Sequence, residues 1–362
     1  MPENRPFKKP SIRDVARQAE VSVTTVSHVA SGVGGYSDET VRKVKRVIEE
    51  LNYVPSYATN ALKRVATKTI GVCASDRYST PSPDKWAFSD RLWSGIIEEA
   101  DKRGYKVLHF PKVIRESQLA SEFLNGQIDG LLICCEWDDP RPTQVAKAGL
   151  PVVTMARAYE VPEGVAAVTV DEHFVVCAGL NHLASHGHTS ISYIAGPAHD
   201  VLDEQGQARV RDDIARARLD AYCSWMRKNL PHCTPRWFAT EDWSPGDLTD
   251  NLRLWITEGA PSAILAANDT VARRAIEAAT RMGLRVPEDI SILGIDNNPD
   301  QVEFEPRLSS VDVPFQEIGR YSVRVLIDLL KGGNASQHLI DLPTLEVIQR
   351  TSTGPRPTTY PH

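Results

Sequence analysis

Between Ser11 and Leu51, apolar residues recur at helical spacing in three short runs. Ile12, Val15, Ala16 and Ala19 share one face, and Ser11 with Asp14 forms an N-terminal capping signature ahead of them. Ser22 is placed to cap a second helix, with Val21 and Val26 as a hydrophobic staple. Val26, Val29 and Ala30 then point inward, and Val23, Thr24, Ser27 and His28 form the opposite face. A third helix is predicted from Ser37, with Asp38 and Glu39 in its first turn. Val41, Val44, Ile48 and Leu51 are its apolar stripe, and Arg42, Lys43, Lys45 and Arg46 its basic outer face. Two short helices, a tight turn and a third helix match the helix-turn-helix plan, in which the second helix enters the major groove. A three-helix bundle with a solvated polar face satisfies the same pattern, so spacing alone leaves both open.

After Pro55, the segment Ser56–Arg64 places Ala58, Ala61 and Leu62 on one face. A helix this short does not hold alone, because nucleation costs more than so few hydrogen bonds return. It is either a frayed linker or a helix that forms only with a partner.

From Thr69 the pattern changes to short β-branched runs alternating with amphipathic stretches. Strands are predicted at 69–74, 106–110, 130–135, 151–155, 166–170, 191–195, 262–267 and 290–295. Helices are predicted over 90–103, 173–185, 217–229 and 270–282, with Gly104, Gly187 and Gly283 at C-terminal stops. Such alternation specifies an α/β fold, a doubly wound parallel sheet with helices on both faces. Sheets of this kind bind ligands beyond the carboxyl ends of their strands. The residues at those ends are Ser75 and Asp76, Glu136, Arg157, Asp171, Asn268 with Asp269, and Asp296 with Asn297. Paired donors and acceptors of this kind suit a hydroxyl-rich ligand, and Trp243, Trp86 or Phe88 offer a ring to cover its apolar face. Strand-end Asp and Asn also serve simply as helix caps.

A length of 362 residues implies two or three structural units. The net charge of −6 argues against a nucleic-acid partner until its distribution is considered. Residues 1–69 hold 12 Lys and Arg against 7 Asp and Glu, whereas the remainder holds 29 against 40. A basic head on an acidic body places one end against a polyanion. The six cysteines are scattered without a CxxC pair, as expected of reduced thiols. No apolar run approaches a membrane span and no secretory leader is evident, so a cytoplasmic protein with no membrane partner is expected.

Several motifs lead nowhere. His182, His186 and His188 lack the Glu and third ligand of a zinc protease and are expected to be structural, and no metal or other cofactor is expected. The glycines of GVGGY (32–36) follow a helix rather than a strand. RVRDDIARAR (209–218) reads as a solvated, salt-bridged helix. Neither a nucleophile elbow, a phosphate loop nor a supported acid pair occurs, so no catalytic residue is expected.

The wording of the chain goes further than its periodicity. SIRDVARQAEVSVTTVSHVASG and YSDETVRKVKRVIEELNYVPS closely resemble the start of lactose-repressor (LacI/GalR) family regulators. NHLASHGHTSISYIAGP, AANDTVARRAIEAATRMGLRVPEDISILGIDN, RLSSVDVPFQEIGRYSV and LPTLEVIQRTSTGP resemble the family's regulatory domain, so that the likeness spans about 11–354 and is weakest at 74–92 and 198–216. The resemblance implies a helix-turn-helix domain over 1–55, a hinge helix or linker over 56–68, and a periplasmic-binding-protein-like (type I) effector and dimerisation domain over 69–362. Its two subdomains would take about 69–171 with 312–340 and about 172–311 with 341–355. By that likeness Val23 and Thr24 meet base edges, Ser22, Thr25 and Ser27 contact phosphate or support the helix, His28 stands where the family usually has Arg, and Leu62 wedges into the minor groove. His cannot reproduce the two-pronged grip of Arg on guanine. Glu20 stands where Gly is common, and Ser31 where Asn is usual. Arg218, Asn268, Asp296 and Trp243 would line the effector cleft, with Ser75 and Asp171 at equivalent strand ends, while Ala156 and Ala221 replace the more usual Asp and Gly. The implied function is a homodimeric repressor of carbohydrate genes, with operator DNA and a sugar-like small molecule as partners. A transport solute-binding protein would share the fold of 69–354 but need a leader and lack the basic head, and a sugar hydrolase would need an acid pair.

Overall fold

A computed structural model describes residues 11–30, 35–51, 66–74, 86–110, 123–124, 126–134, 139–155, 161–198, 200–202, 208–210, 212–243, 245–299, 304–334, 337–339 and 345–358. The head consists of α1 (Ile12–Gln18), α2 (Val23–Ala30) and α3 (Asp38–Glu50). Asp14 accepts from the backbone N–H (2.9 Å) and hydroxyl (2.6 Å) of Ser11, which starts α1. The Ser22 hydroxyl accepts from the Thr25 N–H at 3.0 Å and starts α2. Val15, Ala19, Val26 and Val44 are fully buried between the three helices, with the staple residue Val21 packed against them. Val47, absent from the predicted stripe of α3, is more deeply buried than Val41, Ile48 or Leu51.

The body contains two six-stranded sheets. The first has the order β13-β5-β4-β3-β1-β2, with β1 (Thr69–Ala74), β2 (Lys106–Phe110), β3 (Gly130–Cys134), β4 (Val152–Met155), β5 (Ala166–Thr169) and β13 (Gln337–Leu339), all parallel. The second has the order β14-β12-β11-β10-β6-β9. Its members are β6 (Ile191–Ala195), β9 (Arg236–Ala239), β10 (Ala263–Ala266), β11 (Ser291–Ile295), β12 (Ser309–Val311) and β14 (Val347–Ile348). Only β14, at the edge, runs antiparallel to its neighbour. A small hairpin joins β7 (Asp200–Leu202) to β8 (Ala208–Val210). The central strands are buried on both faces and apolar throughout, as parallel strands covered by helices must be.

The helices are α4 (Trp86–Lys102), α5 (Arg141–Lys147), α6 (Glu172–Ser185), α7 (Asp213–Asn229), α8 (Thr249–Thr257), α9 (Asp269–Arg281) and α10 (Phe315–Leu330). Periodicity alone marked neither α10 nor the strands β9, β12, β13 and β14. Helix α10 packs on α4 and on β3, β4 and β5, and the two helices approach so closely that a Cβ at Gly95 or Gly319 would strike the other helix's backbone. Strand β12 reads Ser-Ser-Val, a poor strand on composition, yet both serines are buried. Its hydroxyls are satisfied from elsewhere: Thr353 Oγ1 lies 2.8 Å from Ser309 Oγ, and Ser310 donates to Asp269 at 2.6 Å. The run at 209–218 is not a solvated helix. It begins as β8, Asp212 caps α7, and Asp212, Asp213 and Arg218 are all buried. Among the described residues, no helix is long and apolar enough to cross a membrane.

Candidate functional site

Two candidate sites emerge, one on the head and one in the body. On the head, Val23 is 42% exposed at the first position of α2, and Thr24 is exposed beside it. Thr25, Ser27 and His28 are half-buried behind them. An exposed valine thus stands next to hydroxyls at the start of a helix fixed by its own cap. His28 Nδ1 lies 3.0 Å from the Tyr36 hydroxyl, so one ring nitrogen is already engaged within the head. Glu20 has a left-handed backbone (φ +54°), the conformation that glycine adopts without cost. Its carboxylate pairs with Lys43 of α3 at 2.9 Å, and that hydrogen bond holds the carboxyl below its ordinary range. The negative charge of Glu20 is thus matched locally. Arg42, Lys45 and Arg46 remain exposed on α3.

The second site lies at the carboxyl ends of β6, β10 and β11, where ligands bind in parallel sheets. Arg218, projecting from α7, is its centre and only 5% exposed. It donates from Nε to Glu172 (2.6 Å) and from Nη1 to the Ala267 carbonyl (2.5 Å), and its Nη2 stands 3.8 Å from Asp296 Oδ1. Burial disfavours the guanidinium charge, but Glu172 and Asp296 outweigh that and raise its pKa. Asp296 follows β11 at φ +109°, and burial pushes its carboxyl up to about 7 against the pull of Arg218. The Trp243 ring centre lies 5.8 Å from the Arg218 guanidinium carbon, and its Nε1 donates to Asp212 at 2.9 Å. Gly196, just beyond β6, is what lets that ring lie flat: a Cβ there would sit 2.8 Å from it. From the first sheet's side, Arg91 of α4 reaches the Asp296 carbonyl and Asp312 Oδ1, both at 3.0 Å, tying α4 to the segments that follow β11 and β12.

Comparison with known proteins bears on both the head and the body. Residues 11–56 match the lacI family of bacterial regulatory proteins, and residues 180–353 match the periplasmic binding protein-like domain. The chain thus carries a lacI-family head followed by a periplasmic binding protein-like body. It is 29% identical over 363 residues to the HTH-type transcriptional repressor PurR of Aliivibrio fischeri, covering 96% of this chain and 99% of the relative. It is 27% identical to the ribose operon repressor of Haemophilus influenzae, covering 94% and 98%. Among solved structures, the lac repressor dimer bound to operator and the anti-inducer ONPF aligns with a TM-score of 0.72 at 26% identity, over 96% of this chain and 100% of that one. The CelR–cellobiose complex aligns at 0.64 and 26%, over 95% and 99%.

Within the body the structure brings Arg218, Trp243, Asn268 and Asp296 together. Asn268 is largely structural there: its Oδ1 caps α9 through the Val271 N–H at 2.7 Å, and its Nδ2 donates to the Trp243 carbonyl at 3.1 Å. Asp171 is exposed and turned to cap α6, accepting from His173 and Phe174. Leu62 with residues 56–65 of the hinge, Ser31, Ser75, Asp76, Glu136, Ala156 and Arg157 lie outside the described residues, as do the side chains of Trp86 and Phe88. Sequence reasoning missed Glu172, one residue beyond the Asp it named, and Asp212, hidden in a charged run. The signal for both was the same, a carboxylate at a strand end or helix start where burial converts a charge into a ligand or a partner. His188 is buried between Ser262 Oγ and the Gly354 carbonyl, each at 3.0 Å. Among the described residues no group of three or more His, Cys, Asp or Glu is placed to hold a metal.

Proposed function

We propose that this regulator is a repressor that binds a palindromic operator as a homodimer and is controlled by a small carbohydrate-like effector held in the cleft around Arg218, Trp243 and Asp296. The observation that carries it is the exposed Val23–Thr24 face at the capped start of α2, on a chain that aligns over 96% of its length with an operator-bound repressor dimer. The proposed division is a DNA-binding head over 1–55, a hinge over 56–68 and an effector domain over 69–362. Its lobes comprise about 69–171 with 312–340 and about 172–311 with 341–355. The strand membership of the two sheets supports these limits. Leu62 is assigned to a minor-groove wedge and Ser75 to the cleft by position.

A ring stacked beside a guanidinium, with carboxylates near it, favours a sugar over a bare nucleobase. The ribose operon repressor and the cellobiose complex among the relatives support that choice, and a nucleobase is the alternative. Ligand closure of the cleft would shift the lobes and so the hinges, changing operator affinity through differential binding to two states. The proposed setting is the cytoplasm, where operator DNA lies, and the proposed role includes no catalytic step. Selection of duplexes from a random pool by the full chain, with and without a sugar and purine panel, is the test. An inverted repeat should emerge, and one ligand should alter its retention. No preference for any inverted repeat would overturn the proposal.

A further inference from the structure

The charge of the effector follows from how Arg218 is used. An arginine poised to grip an anionic ligand keeps its fork open, because carboxylates and phosphates are recognised by parallel N–H donors. Here two arms of the fork, Nε and Nη1, are already taken, and the third faces a carboxylate. Glu172 holds Nε at 2.6 Å and the Ala267 carbonyl holds Nη1, with the side chains of Arg218 and Glu172 each only 6% exposed. A buried pair of this kind is neutral as a unit. The other charged groups beside it are carboxylates: Asp296 at 3.8 Å from Nη2, Asp269 close to Asp296, and Asp212 beneath Trp243. Arg91 is paired with Asp312, and Arg350 is turned to Asn297 and the Leu308 carbonyl.

A second observation points to what is bound instead. Two buried polar atoms of this cluster have no hydrogen-bond partner, Asp296 Oδ1 and the hydroxyl of Tyr193, whose residue is fully buried on β6. The Tyr193 hydroxyl lies within electrostatic reach of Arg218, Glu172 and Asp296, so both orphans belong to one site. Buried orphans of this kind need a partner. A phosphate or carboxylate offers Asp296 no donor and adds repulsion. A hydroxyl donates to the carboxylate, or accepts once Asp296 carries its proton, and meets a tyrosine hydroxyl in either sense.

We propose that Glu172 sets the charge class of the effector: by neutralising Arg218 it makes the cleft select an uncharged polyhydroxy ring and reject the phosphorylated or carboxylated counterpart. This rests on the cleft being the effector site. Glu172 is therefore a specificity-determining residue acting through Arg218. Replacing it with glutamine keeps its shape and restores a net positive guanidinium.

The test measures melting of the full chain, wild type and Glu172→Gln, against matched pairs: glucose with glucose 6-phosphate, galactose with galacturonate, and ribose with ribose 5-phosphate. Inorganic phosphate at low millimolar concentration serves as a ligand-independent probe of Arg218. A ligand that prefers the folded state raises the melting point. The wild type should respond to neutral members only and show no saturable response to phosphate. Glu172→Gln should gain phosphate or sugar-phosphate affinity on the order of tenfold, the scale of one recovered charged contact. Wild-type stabilisation by an anionic member equal to that by its neutral twin, or by phosphate alone, would overturn the proposal even if the variant did not fold. A folded variant that gains nothing for anions would overturn it too. Silence towards every neutral ring, purines included, together with a phosphate gain in the variant, would instead sink the effector reading of the cleft and leave the charge assignment of Arg218 standing.

Discussion

Arg218 shows how a charged side chain can be a structural part of a core. Its guanidinium is buried because Glu172 and the Ala267 carbonyl receive it, and removing it strands a carboxylate in an apolar setting. Arg218→Ala should cost about 3–5 kcal/mol, the range for breaking a buried pair from one side. The matched replacement of both partners by apolar residues should cost far less. Urea midpoints of the two variants check this, and equal losses would show that the pair contributes nothing specific. Asp296 gives a pH-dependence with a definite sign. Its carboxyl is held at about 7 against an ordinary 3.8, so the folded chain binds that proton more tightly than the unfolded chain does. Stability from this group is therefore present at low pH and is lost as pH rises from about 4 to about 7. Burial raises Asp269 in the same direction. Burial lowers His182, to about 4, and also His188, and both oppose the carboxyls by losing stability as pH falls below about 6.5. Asp296→Asn should remove its share, so the difference in melting temperature between variant and wild type should grow in the variant's favour as pH rises. A difference constant with pH would contradict the assigned burial.

At the level of elements, the head was legible because its signals are local. Ser11, Ser22 and Ser37 each start a helix, with Thr25 and Thr40 donating backbone N–H groups to the second and third. Ser22→Ala should weaken α2 by about 1 kcal/mol, the usual value of such a cap. Hydrogen exchange of the α2 amides should rise, and operator affinity should fall by about fivefold, the equivalent of that energy. Unchanged exchange would mean that tertiary packing alone fixes the helix start. In the body, β1, β3, β6, β10 and β11 were legible because strands buried on both faces are continuous apolar runs. Strands β12 and β13 were not. Ser309, Ser310 and Gln337 carry no strand signal, and they pair because neighbouring strands and the 350–354 segment present partners. Helix α10 was hidden for another reason. Its buried face is broad rather than a narrow stripe, because it packs on α4 and on the first sheet at once.

For the whole molecule, the basic head and acidic body make association with DNA an electrostatic event at one end only. The logarithm of operator affinity should fall linearly with that of salt, by about 0.9 for each phosphate neutralised. Lys45→Ala, an exposed position of α3, should lower that slope by about one while leaving the preferred operator unchanged. A salt-independent interaction would count against the repressor reading altogether. Local order and class were set by the sequence itself: three capped helices, then alternating strands and helices, because caps and periodicities depend only on neighbours along the chain. The tertiary structure decided what distant residues do to one another. It placed Glu172 on Arg218 across 46 residues, Arg91 on Asp312 across 221, and turned Asp171 and much of Asn268 into caps. Burial and charge pairing are properties of space, and no spacing along the chain encodes which carboxylate will meet which guanidinium.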